Sequence, residues 1–265
     1  IGLGIPAEPL FRSSIEPYEY VLGNYPYIPG LLKIGENRGW TTPADPTHGG
    51  AGGVWDGETS VVFASGTGTE TDPYIINNGA QLNYLAKLTN ANGELTKGKF
   101  YKLGADIKLN ERVLTDSLTL NGTPANIWEP IGTQYDAGFQ GNFDGQNHTI
   151  SGVYVPSGSY VGLFGSINYG ATIHNVSLVD TYVEGTYPGG LVSSMAYNDS
   201  CWVRNCYVEA NVKGTSNYAG VLACYLYAPG CLDNCYTSGV ATCSSYPAGL
   251  VSYCNDNYSY ISNCF

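Results

Sequence analysis

The chain carries little charge and few basic residues. Of its 265 residues only 12% are Asp, Glu, Lys or Arg, about half the usual share, and Lys and Arg together number 11. The formal net charge of -11 repels phosphate backbones and anionic lipid head groups, so it disfavours nucleic-acid and membrane-surface binding. No apolar run approaches the roughly 20 residues of a membrane-spanning helix, and we therefore expect no membrane insertion.

The sequence also lacks the motifs of metal and nucleotide sites. The three histidines, His48, His148 and His174, are scattered and there is no CxxC, so we predict no zinc site and no cofactor. "GTGTETD" (66–72) has no phosphate-loop lysine, and "FDGQNH" (143–148) lacks the spaced carboxylates of a calcium loop. No signal peptide is visible in the sequence and residue 1 is Ile rather than Met, so we expect a processed or excised piece of a longer protein.

What the chain does have is glycine (35 residues), tyrosine (23) and enough hydrophobic residues (43%) for a core. This composition suggests a β-rich extracellular protein. Residues 1–53 place Pro or Gly every few positions, which predicts an extended, irregular N-terminal arm, with a disordered tail as the alternative. Residues 54–265 are predicted to form the main domain.

One helix is predicted, at about residues 78–90. Leu82, Leu85 and Leu88 recur at helical spacing, and Asn78 followed by Gln81 has the pattern of a capping box. Short strand-like runs follow, each bounded by Gly, Asn or Asp. The helix is therefore expected to cap a β domain.

From residue 160 to 265 the chain repeats itself four times. Glycines recur 28, 30 and 29 residues apart, and asparagines recur 30, 29 and 29 residues apart. A period near 29 with internal alternation predicts an all-β solenoid in which each unit forms one coil and coils stack ~4.8 Å apart. The landmark positions are Gly162, Gly190, Gly220 and Gly249, and Asn175, Asn205, Asn234 and Asn263.

The asparagines are predicted to form a structural ladder. Asn tolerates positive φ, so it can turn the chain between two inward-facing residues, and stacked Asn side chains can hydrogen-bond to one another. Directly after three of these asparagines stand Cys206, Cys235 and Cys264. Because Val176 holds the same place in the first unit, we predict that these thiols fill the core.

Two further cysteine pairs have a spacing that suits disulfides. Cys201 and Cys231, and also Cys224 and Cys254, are 30 residues apart, and adjacent coils would bring them within about 5 Å. An extracellular location permits oxidation. Disulfides and free thiols both remain open for these four residues.

Around "GLFG" (162–165) the sequence resembles the GLUG-motif repeat proteins, with "GGLVS", "AGVLA" and "AGLVS" as degenerate copies. The segment from Trp55 to Leu88 and the runs "FYKLGADIKL", "WEPIG" and "FQGNFDGQNHTISGVYV" resemble the beginning of such proteins. The resemblance covers roughly residues 54–265. It implies a right-handed parallel β-helix in secreted or surface-anchored, adhesin-like bacterial proteins, and it carries no catalytic motif.

Aromatic residues recur at two positions of each unit. Outward aromatics on a rigid face suit sugar rings or a protein partner, whereas stacked aromatics can also simply stabilise the sheet. The first aromatic column follows the ladder cysteines and consists of Tyr207, Tyr236 and Phe265. The second aromatic column precedes the repeat glycines and consists of Tyr160, Tyr187, Tyr218 and Tyr246.

These features favour a non-enzymatic, adhesin-like module on the bacterial surface that binds a glycan or a host protein. A polysaccharide-cleaving enzyme is the first alternative, with Asp180, Glu184 and Glu209 as candidate carboxylates. The second is a structural spacer or head-to-tail filament. The chain ends in mid-coil at Phe265, where we expect either continuation of the chain or self-association through the open coil end.

Overall fold

The structure is a computed structural model that describes residues 53–195, 199–227, 229–255 and 259–265. These residues form a parallel β-helix of about six turns, which confirms the predicted fold. The predicted N-terminal arm lies outside the described residues, except for Gly53.

The helical elements are α1 (Gly79–Ala91) and a 3-10 helix (Gly93–Thr96). The strands are β1 (Tyr74–Ile76), β2 (Phe100–Leu103), β3 (Ile107–Lys108), β4 (Asn142–Asp144), β5 (Thr149–Ser151), β6 (Tyr154–Val155), β7 (Tyr160–Val161), β8 (Phe164–Ile167), β9 (Thr172–His174), β10 (Ser177–Gly185), β11 (Tyr187–Pro188), β12 (Val192–Met195), β13 (Cys201–Arg204), β14 (Tyr207–Gly214), β15 (Tyr218–Gly220), β16 (Ala223–Leu226), β17 (Gly230–Asp233), β18 (Tyr236–Thr242), β19 (Tyr246–Ala248), β20 (Val251–Cys254) and β21 (Tyr260–Ser262).

Successive coils add one strand to each of three faces. The first face is a seven-stranded sheet in the order β1-β2-β4-β9-β13-β17-β21. The second face is a six-stranded sheet in which β18-β14-β10-β5-β3 follow one another and β6 also pairs with β10. The third face combines the four-stranded sheet β20-β16-β12-β8 with the pairs β11-β7 and β15-β19. Named strands pair in parallel, as a solenoid requires.

The core is built from inward-facing residues in register between coils. On the first face Tyr101, Phe143, Ile173, Val203 and Leu232 follow one another at the centre of successive strands, and each is at least 98% buried. Full burial of such a side chain stabilises the fold by about 1.5–3 kcal/mol relative to leaving it exposed. Strand alternation therefore produces one continuous apolar file along the solenoid axis.

The predicted helix is confirmed and extends over Gly79–Ala91. The Asn78 side chain accepts a hydrogen bond from the Gln81 backbone N–H at 2.9 Å. In return, the Gln81 side chain accepts one from the Asn77 backbone N–H at 2.8 Å, one residue earlier than a standard capping box. Leu82 and Leu85 are fully buried in the main core, which fixes the helix against the coils.

The four asparagines lie at equivalent turns after β9, β13, β17 and β21, with φ between 51° and 57°. The Asn205 side chain donates to that of Asn175 at 3.1 Å, and Asn234 donates to Asn205 at 2.9 Å. Asn263 instead donates to Asp233 Oδ1 at 3.1 Å. Left-handed backbone and an interstrand amide contact thus occur at the same positions, which explains the periodic Asn.

The predicted register of the repeat glycines is wrong at two positions. Gly162, Gly189 and Gly220 are the residues that align, with Ala248 in the last coil. Gly190 and Gly249 each lie one residue further along. The spacing at this corner varies between coils, because residues are inserted or lost in the turns rather than in the strands.

The spacing-based disulfide pairs are not formed, since all eight cysteines are free thiols. Cys201 pairs in register with Gly230, so Cys231 lies one residue away, opposite Trp202. A one-residue offset directs the two side chains to opposite faces of the sheet. Cys254 pairs with Leu226 rather than with Cys224. The local coils are 29 and 28 residues long, so a 30-residue spacing does not place two cysteines opposite each other.

The thiols that follow the asparagines lie on the inner side of the coil. Cys206 and Cys235 are fully buried, and Cys264 is half-buried in the last coil. Each Sγ donates to the carbonyl two residues earlier: Cys206 to Arg204 at 3.1 Å and Cys235 to Asp233 at 3.3 Å. Burial raises the pKa of Cys206 well above its ordinary value. This thiol is therefore neutral and unreactive at physiological pH.

Candidate functional site

Charge is distributed unevenly around the solenoid. The third-face stretches of the repeats, residues 158–171, 185–195, 214–227 and 243–255, contain no Asp, Glu, Lys or Arg, whereas Asp199 lies in the turn that follows the second stretch. The second face carries an ion pair between Lys213 and Glu184 at 2.8 Å, and on the first face His174 Nδ1 lies 3.5 Å from the Asp144 carboxylate. A protein of net charge -11 thus has one side on which the repeat segments are electrically neutral.

The second aromatic column lies on this neutral side. Tyr160 and Tyr187 are in register, with ring centroids 5.4 Å apart, and so are Tyr218 and Tyr246, at 5.3 Å. Between these two pairs the ring of Tyr225 lies 5.2 Å from Tyr187 and 4.9 Å from Tyr218. The column is therefore two stacked pairs joined by a tyrosine from the neighbouring strand β16.

Further tyrosines enlarge this column into a surface. Tyr227 stacks on Tyr225 at 5.4 Å, and Tyr253 lies 5.5 Å from both Tyr218 and Tyr225. Tyr135 contacts Tyr160 and Tyr227, each at 5.6 Å. We call this connected group the tyrosine surface; its members are Tyr135, Tyr160, Tyr187, Tyr218, Tyr225, Tyr227, Tyr246 and Tyr253.

Sequence reasoning missed half of the tyrosine surface. Tyr225 and Tyr253 occupy the register position that Ser166 and Ser194 hold in earlier coils, so no repeated aromatic indicated them. Tyr135 belongs to a loop between coils. The Tyr135 carbonyl accepts a hydrogen bond from Asn168 Nδ2 at 2.9 Å, which attaches this loop to the coil. The tyrosine-rich "YLY" (225–227) was the available signal.

Polar contacts hold the backbone beneath the rings. Ser193 Oγ donates to the Tyr187 carbonyl at 2.5 Å, and Ser252 Oγ donates to the Tyr246 carbonyl at 2.6 Å. Nearby, the side-chain oxygen of Asn217 accepts from Ser244 Oγ at 2.7 Å. The rings of Tyr187 and Tyr246 thus belong to backbone that is held by hydrogen bonds from side chains of the neighbouring strands.

Burial raises the pKa of three phenols of this surface. Burial, followed by neighbouring tyrosines, raises the pKa of Tyr227 to about 12, and burial also raises the pKa of Tyr160 and Tyr225. Exposure ranges from 8% at Tyr225 to 54% at Tyr246. The arrangement therefore offers neutral hydroxyl groups and apolar ring surface together, with Asp136 as the carboxylate of the Tyr135 loop.

The first aromatic column forms on the second face as a simple stack. Tyr207 and Tyr236 rings are 4.7 Å apart, and Tyr236 and Phe265 rings are 5.8 Å apart at 19°. Rings stacked in this way cover one another's faces, an arrangement that stabilises neighbouring strands. Burial and then the nearby Glu209 carboxylate raise the pKa of Tyr207. This column therefore differs from the tyrosine surface in both packing and charge.

Two of the candidate carboxylates make contacts within the fold. Asp180 accepts hydrogen bonds from the backbone N–H groups of Val113 and Leu114 at 2.8 and 2.7 Å, and so attaches the 112–121 segment to β10. Glu184 accepts from Tyr182 Oη at 2.6 Å and pairs with Lys213. These contacts account for both residues in structural terms. Glu209, the third candidate, lies on β14 beside Tyr207.

No protein family profile matches the chain. It is 32% identical over 152 residues to a protein of Evansella cellulosilytica provisionally named a Gly-rich membrane protein, a match that covers 57% of this chain and 16% of that protein. It is 30% identical over 171 residues to the Halomucin of Haloquadratum walsbyi, which covers 63% of this chain and 2% of Halomucin. The chain therefore matches only a small part of each of these relatives.

A solved structure shares the fold. The crystal structure of a Bacteroides ovatus protein, provisionally named an immunoglobulin A1 protease, superposes with a TM-score of 0.57 at 23% identity, covering 77% of this chain and 59% of that one. This likeness concerns the β-helix alone. Among the described residues, no helix is long and apolar enough to cross a membrane, and no group of three or more His, Cys, Asp or Glu is placed to hold a metal ion.

Proposed function

We propose that this chain is a non-enzymatic recognition module of a secreted or surface-displayed protein, and that the tyrosine surface is its binding face. The observation that carries the proposal is the joining of eight tyrosines on the face of the solenoid whose repeat strands contain no charged residue. Tyrosine gives a large, rigid, amphipathic contact area at low cost in side-chain entropy, which suits recognition.

Three features support a binding role over a purely structural one. An in-register ladder would be enough to stabilise the sheet, but Tyr225, Tyr227 and Tyr253 enlarge the group beyond any single ladder. Several rings meet at steep angles, for example 68° between Tyr187 and Tyr225, so they do not merely cover one another. Six of the eight rings are also held on strands, which keeps the surface preorganised for a ligand.

An extracellular location is supported by composition and by the relatives. Low charge and abundant Gly and Tyr are typical of an extracellular β-rich protein, and one relative bears the name of a membrane protein. The contacts of Asp180 and Glu184 within the fold support the absence of a catalytic carboxylate pair at these positions. The proposed module is therefore adhesin-like, and its ligand is a glycan or a host protein.

The test is a binding screen on immobilised neutral and acidic polysaccharides and on host surface glycoproteins. We expect binding that is lost in Tyr187→Ala/Tyr218→Ala, because these residues join the two halves of the tyrosine surface. The matched control is Tyr207→Ala/Tyr236→Ala, which removes a stacked pair of the same kind from the second face. Loss of binding in the control alone would transfer the site to the first aromatic column and contradict the proposal.

Loss of folding must be distinguished from loss of the site. Thermal unfolding of each variant by circular dichroism shows whether the β-helix is intact. Tyr218→Phe/Tyr246→Phe serves as a second test, because it removes two hydroxyl groups and keeps both rings in place. Weaker binding by this folded variant supports the proposal, and wild-type binding by every folded variant of the tyrosine surface rejects it.

A further inference from the structure

We infer that the ligand of the tyrosine surface is an extended, uncharged polysaccharide that lies along the solenoid axis, with successive sugar units over successive coils. This inference rests on the proposed function and specifies its ligand. It depends on two independent properties of the surface: its repeat distance and its lack of charge within the repeats.

The first property is the repeat distance. Equivalent tyrosines of adjacent coils have ring centroids 5.4 Å apart at Tyr160 and Tyr187, and 5.3 Å apart at Tyr218 and Tyr246. This interval follows from the strand spacing of ~4.8 Å. One pyranose unit of an extended glycan has a comparable length, so a polymer parallel to the axis meets an equivalent phenol at each step within either pair, and Tyr225 lies between the pairs. A globular protein surface has no such repeat.

The second property is neutrality. An acidic polysaccharide would gain no ion pair from segments 185–195, 214–227 and 243–255, and it would be repelled by a protein of net charge -11. Sugar hydroxyls need partners when they leave water, and protonated phenols supply donors and acceptors without the desolvation cost of a charge. Apolar ring surface can cover the C–H groups of the sugar.

The geometry also explains why the tyrosine surface suits a sugar chain better than the first aromatic column does. In the first column the rings stack on one another, and Glu209 lies beside Tyr207. On the tyrosine surface Tyr253 meets Tyr218 at 69° and Tyr225 at 73°, so ring faces as well as edges line the surface. A sugar chain that lies along the tyrosine surface can therefore contact both the faces and the edges of the rings.

The experiment is isothermal titration calorimetry with uncharged β-1,4-linked oligosaccharides of glucose, xylose and mannose, from the disaccharide to the hexasaccharide. In at least one series we expect affinity to rise with each added sugar up to the tetrasaccharide, because the second aromatic column spans four coils. We also expect little change between low and high salt. A rise with length for acidic oligosaccharides only, or a strong salt dependence, would overturn the neutral-ligand inference.

A single substitution tests whether the oligosaccharide lies along the solenoid axis. Tyr246→Ala, at one end of the surface, should weaken the hexasaccharide by roughly fivefold while leaving the disaccharide nearly unaffected. Tyr236→Ala is the matched control, because Tyr236 is in the same coil with similar exposure, 47% against 54%. Equal effects on short and long oligosaccharides would contradict the axial arrangement.

The outcomes separate the inference from the proposed function. Affinity that already saturates at the disaccharide means a local sugar site, which rejects the axial polymer but leaves a binding face. If no oligosaccharide binds while a host glycoprotein stripped of its glycans is still captured in a Tyr218-dependent manner, the ligand is a protein and the inference fails alone. If neither binds, both fail.

Discussion

The side-chain amide of Asn205 donates a hydrogen bond of 3.1 Å to the side-chain oxygen of Asn175, a residue 30 positions earlier in the chain. Both residues have positive φ, 52° and 57°. Asparagine therefore adopts the left-handed backbone that the turn of its own coil needs, and its side chain also contacts the neighbouring coil. This double role explains why the asparagine is the most regular landmark of the repeats.

Replacing Asn205 tests both roles. Asn205→Ala should lower the free energy of unfolding by about 2 kcal/mol, because alanine is disfavoured at positive φ and the amide contacts to Asn175 and Asn234 are lost. Asn205→Gly should cost about half as much, since glycine tolerates this backbone. Urea unfolding measures both. Equal costs for the two variants would contradict a left-handed backbone at this position.

The glycine register gives a paired prediction. A Cβ at Gly162 would lie inside contact distance of the Gly189 backbone oxygen, whereas nothing lies within 4 Å of the corresponding position at Gly249. Gly162→Ala should therefore destabilise the fold by about 1–3 kcal/mol, and Gly249→Ala should be close to neutral. Thermal melts of the two variants decide the matter; similar losses in both would mean that the two glycines are equivalent after all.

The cysteines should differ sharply in reactivity. In the folded protein we expect iodoacetamide to modify Cys254 first, because it is exposed, and to spare Cys201, Cys206 and Cys235. Peptide mass spectrometry after timed labelling gives the order. The free-thiol assignment would be contradicted by a disulfide-linked peptide that joins Cys201 to Cys231 in protein purified under oxidising conditions.

Asp180 is expected to fasten the 112–121 segment. In Asp180→Asn one carboxylate oxygen becomes an amide that cannot accept from the Val113 or Leu114 backbone N–H. Asparagine still tolerates the φ of 52° at this position, so the strand itself should persist. Hydrogen–deuterium exchange should accelerate within 112–121 and stay unchanged in Ser177–Val179. Faster exchange throughout β10 would instead indicate a general loss of the fold.

The Glu184 carboxylate predicts a pH effect. Hydrogen bonds from Lys213 and then from Tyr182 hold its pKa below the ordinary value of 4.5. The unfolded state therefore binds a proton more readily, and this contribution to stability is lost as pH falls from about 4.5 through the lower pKa of the folded protein. Since the Lys213 side chain is 51% exposed and that of Glu184 25%, solvent screens the pair and the contribution should be below about 1 kcal/mol.

Comparing urea unfolding of the wild type and Glu184→Gln between neutral and acidic pH isolates this contribution. The difference between the two proteins should shrink as pH falls. A constant difference over the whole range would show that the lowered pKa of Glu184 does not contribute to stability.

Sequence patterns were most informative at positions where the backbone conformation favours one residue type. Positive φ and stacking restrict the ladder positions to asparagine, so Asn175, Asn205, Asn234 and Asn263 predicted the coil period and the fold. The helix was equally readable, because Asn78 and Gln81 act locally. These signals depend on neighbouring residues or on a strict repeat, and both are visible in a single sequence.

Register between coils was less predictable, because turns change length without disturbing the strands. A shift of one residue separated Cys231 from Cys201 and replaced Gly190 by Gly189 in the aligned set. For the same reason, the sequence pattern indicated only half of the residues of the tyrosine surface. Tyr225 occupies a position held by serine in the earlier coils, and only the three-dimensional stacking brings it between Tyr187 and Tyr218.

The most direct test of the tyrosine surface is an NMR titration of protein in which the tyrosine rings are 13C-labelled, with the tightest-binding uncharged oligosaccharide from calorimetry as the probe. We predict that ring signals of Tyr187, Tyr218 and Tyr246 shift at saturation, while those of the first aromatic column and of buried Tyr101 stay in place. Saturation that moves Tyr207 and Tyr236 and leaves the tyrosine surface unchanged would contradict the account.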